Sequence, residues 1–315
     1  MPEIMSVSVI LSFWLFLCVW ASPGYAHVAN EGLALDDWHW RPDVLLVVVF
    51  FGVTYARGWL RLRHKALQLA PWWQFSLYLL ALMGLVLALL SPIDTLASTR
   101  LSMHMVQHLL LLMIAPLFFL LANPMAVFLW GLPDLARRRV GVLLARRSPF
   151  RRGLRTLTWL PVAWFVYVID LWAWHHPYPY QQALGNPWVH DLQHLLFFAT
   201  SLLFWWPVAN PAPRLHGTVA YGYRIIYLIV ATMQNTVLGA FLAFPEKILY
   251  PFYGSFPGLR SLSPIEDQAL GGGIMWVSGH MYLIPILVLV ARMLTREEEE
   301  ARKGISKGVT TKASV

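Results

Sequence analysis

Residues 101–122 read LSMHMVQHLLLLMIAPLFFLLA, a run without a single Lys, Arg, Asp or Glu. Crossing the hydrocarbon core of a bilayer as a helix takes roughly 20 consecutive apolar residues, so this stretch is long enough to span. Yet His104 and His108 sit close to its start. Ionisable side chains inside a span are expensive to bury and mark functional positions. The run therefore predicts a lipid-embedded helix that carries polar chemistry inward.

Similar runs recur on both sides of it. Spans are expected at about 43–60, 72–90, 101–122, 157–174, 188–209, 219–244 and 269–292, which gives an all-α integral membrane protein with a seven-helix transmembrane bundle. Composition agrees. Of the 315 residues 58% are apolar and 13% charged, whereas a soluble domain carries about 25% charged residues. The 16 tryptophans and 12 tyrosines gather near the ends of the runs, the depth that amphipathic rings prefer. The only cysteine is Cys18, which excludes disulfides, cysteine metal clusters and thiol chemistry over the rest of the chain.

The net charge of +8 does not indicate nucleic acid, because the basic residues lie in alternate short loops. Arg57, Arg61, Arg63 and Lys65 follow the first span; Arg137, Arg138, Arg139, Arg146, Arg147, Arg151, Arg152 and Arg155 separate the third from the fourth; Arg214 and Arg224 flank the approach to the sixth. The intervening loops at 91–100, 175–187 and 245–268 are nearly free of Lys and Arg. The positive-inside rule then puts the N-terminus in the periplasm and the C-terminus in the cytoplasm. Residues 1–26 read as a signal peptide, with an apolar stretch from Ile4 to Trp20 and small residues before Ala26; a retained eighth span is the alternative. On this reading residues 27–295 form the membrane domain and 296–315 a disordered cytoplasmic tail. The segment Pro124–Leu135 is too short to span and is expected along the cytoplasmic interface.

One local pattern occurs twice. His104-Met105-Val106-Gln107-His108-Leu109-Leu110 and His190-Asp191-Leu192-Gln193-His194-Leu195-Leu196 both read H-x-x-Q-H-L-L. Histidines four apart lie on one helix face, one turn from each other. Both pairs open spans that run inward, so they fall at one depth. If the last span begins near Ile274, after Gly271-Gly272-Gly273, His280 reaches the same layer. His104, His108, His190, His194 and His280 are thus the candidate metal ligands, with His108, His194 and His280 as the primary set. Asp170, His176, Gln107, Gln193 and Met281 are candidates to hold or supplement them, and His175 stands beside His176 at the end of the fourth span. A lone intramembrane histidine is as readily a hydrogen-bonded packing residue; five converging on one leaflet are harder to explain that way. Imidazole and thioether donors without thiolate suit copper, while three imidazoles alone also suit zinc. Gln234 and Asn235, mid-span in the sixth helix, read either as supports for the site or as interhelical hydrogen bonds.

The paired H-x-x-Q-H-L-L motifs, Met233-Gln234-Asn235, the Pro264-Ile265-Glu266-Asp267-Gln268-Ala269-Leu270-Gly271-Gly272 approach and Gly279-His280-Met281 together resemble the multi-pass CtaG family of cytochrome c oxidase assembly proteins, associated with caa-type oxidases. The likeness covers about residues 40–295. It implies a factor of the bacterial inner membrane that helps place copper in the oxidase core subunit. The working expectation is a non-enzymatic metallochaperone that receives copper on the periplasmic side, from a periplasmic copper chaperone among other sources, and passes it to a laterally docked subunit. Two other functions fit the same histidines: a b-type haem electron carrier, and an intramembrane zinc hydrolase with Asp170 as general base.

Overall fold

The computed structural model describes residues 38–65, 67–217, 219–255 and 262–312. The segment expected to be a signal peptide lies outside them. Among the described residues the chain is helical, with no strand. Six helices are long and apolar enough to cross a membrane: α1 (Pro42–Lys65), α2 (Trp72–Leu89), α4 (Leu101–Leu121), α10 (Pro187–Ala209), α11 (Tyr221–Ala243) and the near-continuous pair α13 (Pro264–His280) and α14 (Leu283–Lys312). The seventh is bent. α7 (Pro149–Leu157) and α8 (Leu160–His175) pass the same test together but meet at 71°. Short helices join them: α3 (Pro92–Ala97), α5 (Pro124–Gly131), α6 (Asp134–Leu143), α9 (Pro177–Gly185) and α12 (Pro251–Gly254).

Outward stripes of these helices are apolar, as lipid requires. Leu46, Val49, Phe50 and Val53 of α1 and Ile226, Ile229, Met233 and Val237 of α11 are all exposed, at the three- and four-residue spacing of one helix face. At the arginine-rich end, basic residues lie over tryptophan rings: Arg63 on Trp59 and Trp72, Lys65 and Arg137 on Trp130. The segment expected along the interface forms α5 and the start of α6, and α5 packs directly on α1, where a Cβ on Gly58 would collide with the Val127 carbonyl and one on Gly131 with that of Thr54.

The span carrying the first histidine pair is not a plain α-helix. Leu110–Ile114 forms a π turn. Pro116 two residues further on has no N–H to offer the carbonyl of Leu112; the Trp205 indole of α10 donates to that oxygen instead, at 3.1 Å. Its other end is capped by a distant residue. The Asp267 carboxylate accepts from the Leu101 N–H at 2.8 Å, the Ser102 N–H at 3.3 Å and the Ser102 hydroxyl. A carboxylate there satisfies N–H groups that have no partner within the helix and complements the helix dipole.

The last span begins at Pro264, before the expected 269 and well before the start near Ile274 that would set His280 level with the other rings. Ser263 and Glu266 make a capping box and Pro264 takes the first position, so Gly271 and Gly272 lie within α13. They are there for close packing: a Cβ on Gly272 would strike the backbone of Leu242 and Ala243, and Gly271 faces Leu101, Ser102 and Met105. α14 also continues past Arg296 to Lys312, into the stretch expected to be disordered, since extending a formed helix adds one hydrogen bond per residue ordered.

Replacing the trans-acting cap tests this architecture. Asp267→Ala is expected to destabilise the detergent-solubilised protein by about 1–2 kcal/mol, read as a lower melting temperature, with Asp267→Asn recovering part of the loss.

Candidate metal centre

The two H-x-x-Q-H motifs start at equivalent places. His104 is the fourth residue of α4 and His190 the fourth of α10, so each second histidine lies roughly 6 Å further in. The structure brings all four together. Ring centroids are 5.1 Å apart for His104 and His190, 6.0 Å for His104 and His194, 5.8 Å for His108 and His194 and 4.4 Å for His104 and His108. His104, His108 and His194 are buried and His190 is partly exposed.

Three of them converge closely enough to share an ion. One donor nitrogen from each of His104, His190 and His194 lies within 4.8 Å of the other two, and the Nε2 atoms of His104 and His190 are 3.3 Å apart. A tetrahedral ion at the usual metal–nitrogen length holds its donors about 3.4 Å apart, so modest rotation of the rings closes the set. The tautomer of His104 follows from its other nitrogen. Burial pushes the Tyr253 phenol well above its ordinary pKa, so it keeps its proton, which it donates to the Ala97 carbonyl at 3.2 Å. It therefore accepts from His104 Nδ1–H at 2.7 Å, leaving the Nε2 lone pair facing His190. Outer partners of this kind orient metal-binding imidazoles.

Polar contacts also bind the motifs to the segment before α1. Arg41 donates to both oxygens of Asp191, at 2.6 and 2.9 Å, and to Asp43. His39 contacts Asp94 at 3.0 Å, and the other Asp94 oxygen accepts from Gln107 at 2.7 Å. Gln107 thus anchors α4 to α3 and, through Asp94, to residue 39. Gln193, its counterpart on α10, is fully buried with no hydrogen-bond partner for either side-chain atom.

His280 stands apart from this cluster. Because α13 starts at Pro264, His280 is its last residue, roughly 24 Å along the axis, and its exposed ring bonds back to the Trp276 carbonyl. Met281 follows it at the helix end. Asp170 accepts from Thr200 at 2.8 Å. The paired histidines of the fourth span exchange roles: His176 is exposed and caps α9 by accepting from the Tyr178 N–H, while His175 is buried beside His108, with ring centroids 5.3 Å apart. Met105 and Met275 fill the apolar core. Gln234 accepts from the Trp172 indole and Asn235 donates to the Met275 carbonyl, so both act between helices. Tyr253 and Tyr180 escaped sequence reading, and His175 entered it only as the neighbour of His176. The one available signal was aromatic, in Tyr178-Pro179-Tyr180 and Tyr250-Pro251-Phe252-Tyr253 of two loops poor in basic residues.

Six membrane-length helices and one bent pair, with imidazoles gathered in the interior near one end, define a class of polytopic membrane protein with a buried histidine cluster. The sequence places it more narrowly. The family described as cytochrome c oxidase caa3 assembly factor matches residues 53–297, and the chain belongs to that family. It is also 26% identical over 287 residues to an uncharacterized protein of Mycobacterium bovis, and equally to one of Mycobacterium tuberculosis. A third, from Mycobacterium leprae, is 25% identical over 278 residues. Those alignments take in 82–85% of this chain, which spans 40% of the length of the relatives it matches. No solved structure matches.

The His39–Asp94 contact carries a pH signature. The hydrogen bond to Asp94 raises the His39 pKa against burial and against Arg41, and Asp43 adds to the rise. A folded value above the unfolded one means that the stabilisation is complete below about pH 6.5 and is lost as pH climbs through the raised value. The His39 N–H is bonded to the Leu90 carbonyl at 3.0 Å. Its exchange with solvent, corrected for intrinsic rate, should be slower near about pH 6 than above that raised value, and His39→Gln should flatten the difference.

Proposed function

We propose that this chain is an assembly factor of cytochrome c oxidase that holds copper as cargo on His104, His190 and His194 and releases it toward the oxidase core subunit. The observation that carries the reading is the convergence of three imidazole donors within 4.8 Å, inside a chain of the oxidase assembly family. Neutral imidazoles without thiolate or carboxylate suit copper ions, and also zinc; the family favours copper. The basic loops lie at the far end of the bundle from the histidines, so the positive-inside rule directs the site to the periplasmic face of the bacterial inner membrane.

The residues divide the work. His190, partly exposed, meets the incoming ion first. His104, locked by Tyr253 with Nε2 free, and buried His194 complete the set. The Arg41–Asp191 pair fixes the turn of α10 from which His190 and His194 project. Copper enters and leaves by exchange of imidazole donors.

Neither rival function gains from the geometry. A haem needs a flat slot between its axial histidines, whereas these rings pack against each other and against Tyr180 and Phe197. A hydrolase needs a free acid beside the metal; Asp170 is bonded to Thr200, Asp94 to His39 and Gln107, and Asp191 to Arg41.

Purified wild-type protein should retain Cu⁺ against a competing chelator, and the combined His104→Ala, His190→Ala and His194→Ala variant should lose the ion from this set. In a strain lacking the gene, wild type should restore oxidase activity and the triple variant should not; equal rescue would remove the assignment. Tyr253→Phe should weaken copper binding about 10–100-fold, because His104 loses the acceptor that sets its tautomer.

A further inference from the structure

His108 and His175 are left over by the three-histidine set, and both are buried, at 0% and 1% exposure. They come from different helices and face each other with centroids 5.3 Å apart and planes at 81°. His175 Nδ1 lies 2.7 Å from the Leu171 carbonyl, which can only accept. Nδ1 therefore bears the proton and Nε2 the lone pair. That Nε2 has no hydrogen-bond partner, and neither nitrogen of His108 has one. A buried imidazole with both nitrogens unsatisfied is rare, because such groups lose hydration without compensation. The two open nitrogens of His108 and the open Nε2 of His175, on rings 5.3 Å apart, are explained at once by a cation held between them.

We infer that His108 and His175 form a second, inner metal position that takes Cu⁺ in two-coordinate, near-linear ligation. This deepens the copper reading above and rests on it for the identity of the ion. Its position follows from the helix repeat: His108 lies one turn inward from His104 on α4. His194 lies almost equally far from both, 6.0 Å from His104 and 5.8 Å from His108 by ring centroid, so it can hand an ion from the outer set to the inner pair. The charge favours a monovalent ion. The walls are Phe197, Tyr180 and the histidines themselves, and a divalent charge among neutral ligands in such surroundings is far costlier to bury. Two imidazoles at right angles satisfy Cu⁺, whereas Zn²⁺ favours four donors. The transfer is a ligand exchange: one copper–imidazole bond forms as another breaks, the ion stays Cu⁺, and neutral donors release no proton.

The experiment is Cu⁺ titration of the full-length protein in detergent against a chromophoric chelator, with X-ray absorption to report coordination number. Wild type is expected to hold two ions, and His108→Ala and His175→Ala one each, that one keeping the signature of the three-histidine set. The outer triple variant should keep one ion with a two-coordinate spectrum. If His175→Ala fails to fold, His175→Asn, which retains a donor for Leu171, takes its place. A wild type holding a single ion that survives His108→Ala and His175→Ala, and is lost in the triple variant, would overturn the inner position and leave the outer site standing. A wild type holding no ion would overturn both.

Discussion

The structure depends on a constraint that lipid imposes: no water is available to satisfy a backbone group left open by a break in a helix. The helix bearing the first histidine pair has two such breaks, and both are repaired from elsewhere in the chain. Asp267, brought from far along the sequence, covers the free N–H groups at the start of α4. Trp205 covers the Leu112 carbonyl stranded by Pro116. These repairs fix α4 against α13 and α10, and with it the height and facing of His104 and His108. The imidazole cluster is thus set by hydrogen bonds that themselves contain no histidine.

The spans were legible because hydrophobic length is a strong signal, and every expected span has its helix or bent pair. The depth of the paired histidines was legible too, since the H-x-x-Q-H repeat opens both helices at the same residue. The last span misled because a glycine triplet lowers helix propensity in water, while in the membrane Gly271 and Gly272 permit backbone-to-backbone approach. Moving the helix start from Ile274 to Pro264 carries His280 well away from the other rings. The sequence also offered no way to choose between His175 and His176. Neighbours in the chain diverge in space at the end of α8, one turning into the bundle and the other outward to cap α9.

Pattern symmetry does not extend to bonding. Gln107 is tied to Ala88 and Asp94, whereas Gln193 at the matching place has no protein partner. On α10 the restraint comes instead from Asp191, gripped by both guanidinium nitrogens of Arg41. A charged, bidentate pair is among the stronger contacts available to a surface residue. The two halves of the cluster are therefore held by different chemistry, one by a buried amide and the other by a half-buried ion pair.

Among the clustered histidines, only His190 is exposed enough to meet water directly. The others are walled off sideways by α8, α9 and the tyrosines of α12, and the outward side of α10 shows Trp188, Leu192, Leu195 and Ala199. The cluster is a well sunk from the top of the bundle, not a window in its flank. Any exchange between the cluster and the aqueous side then runs past His190, its one partly exposed ring.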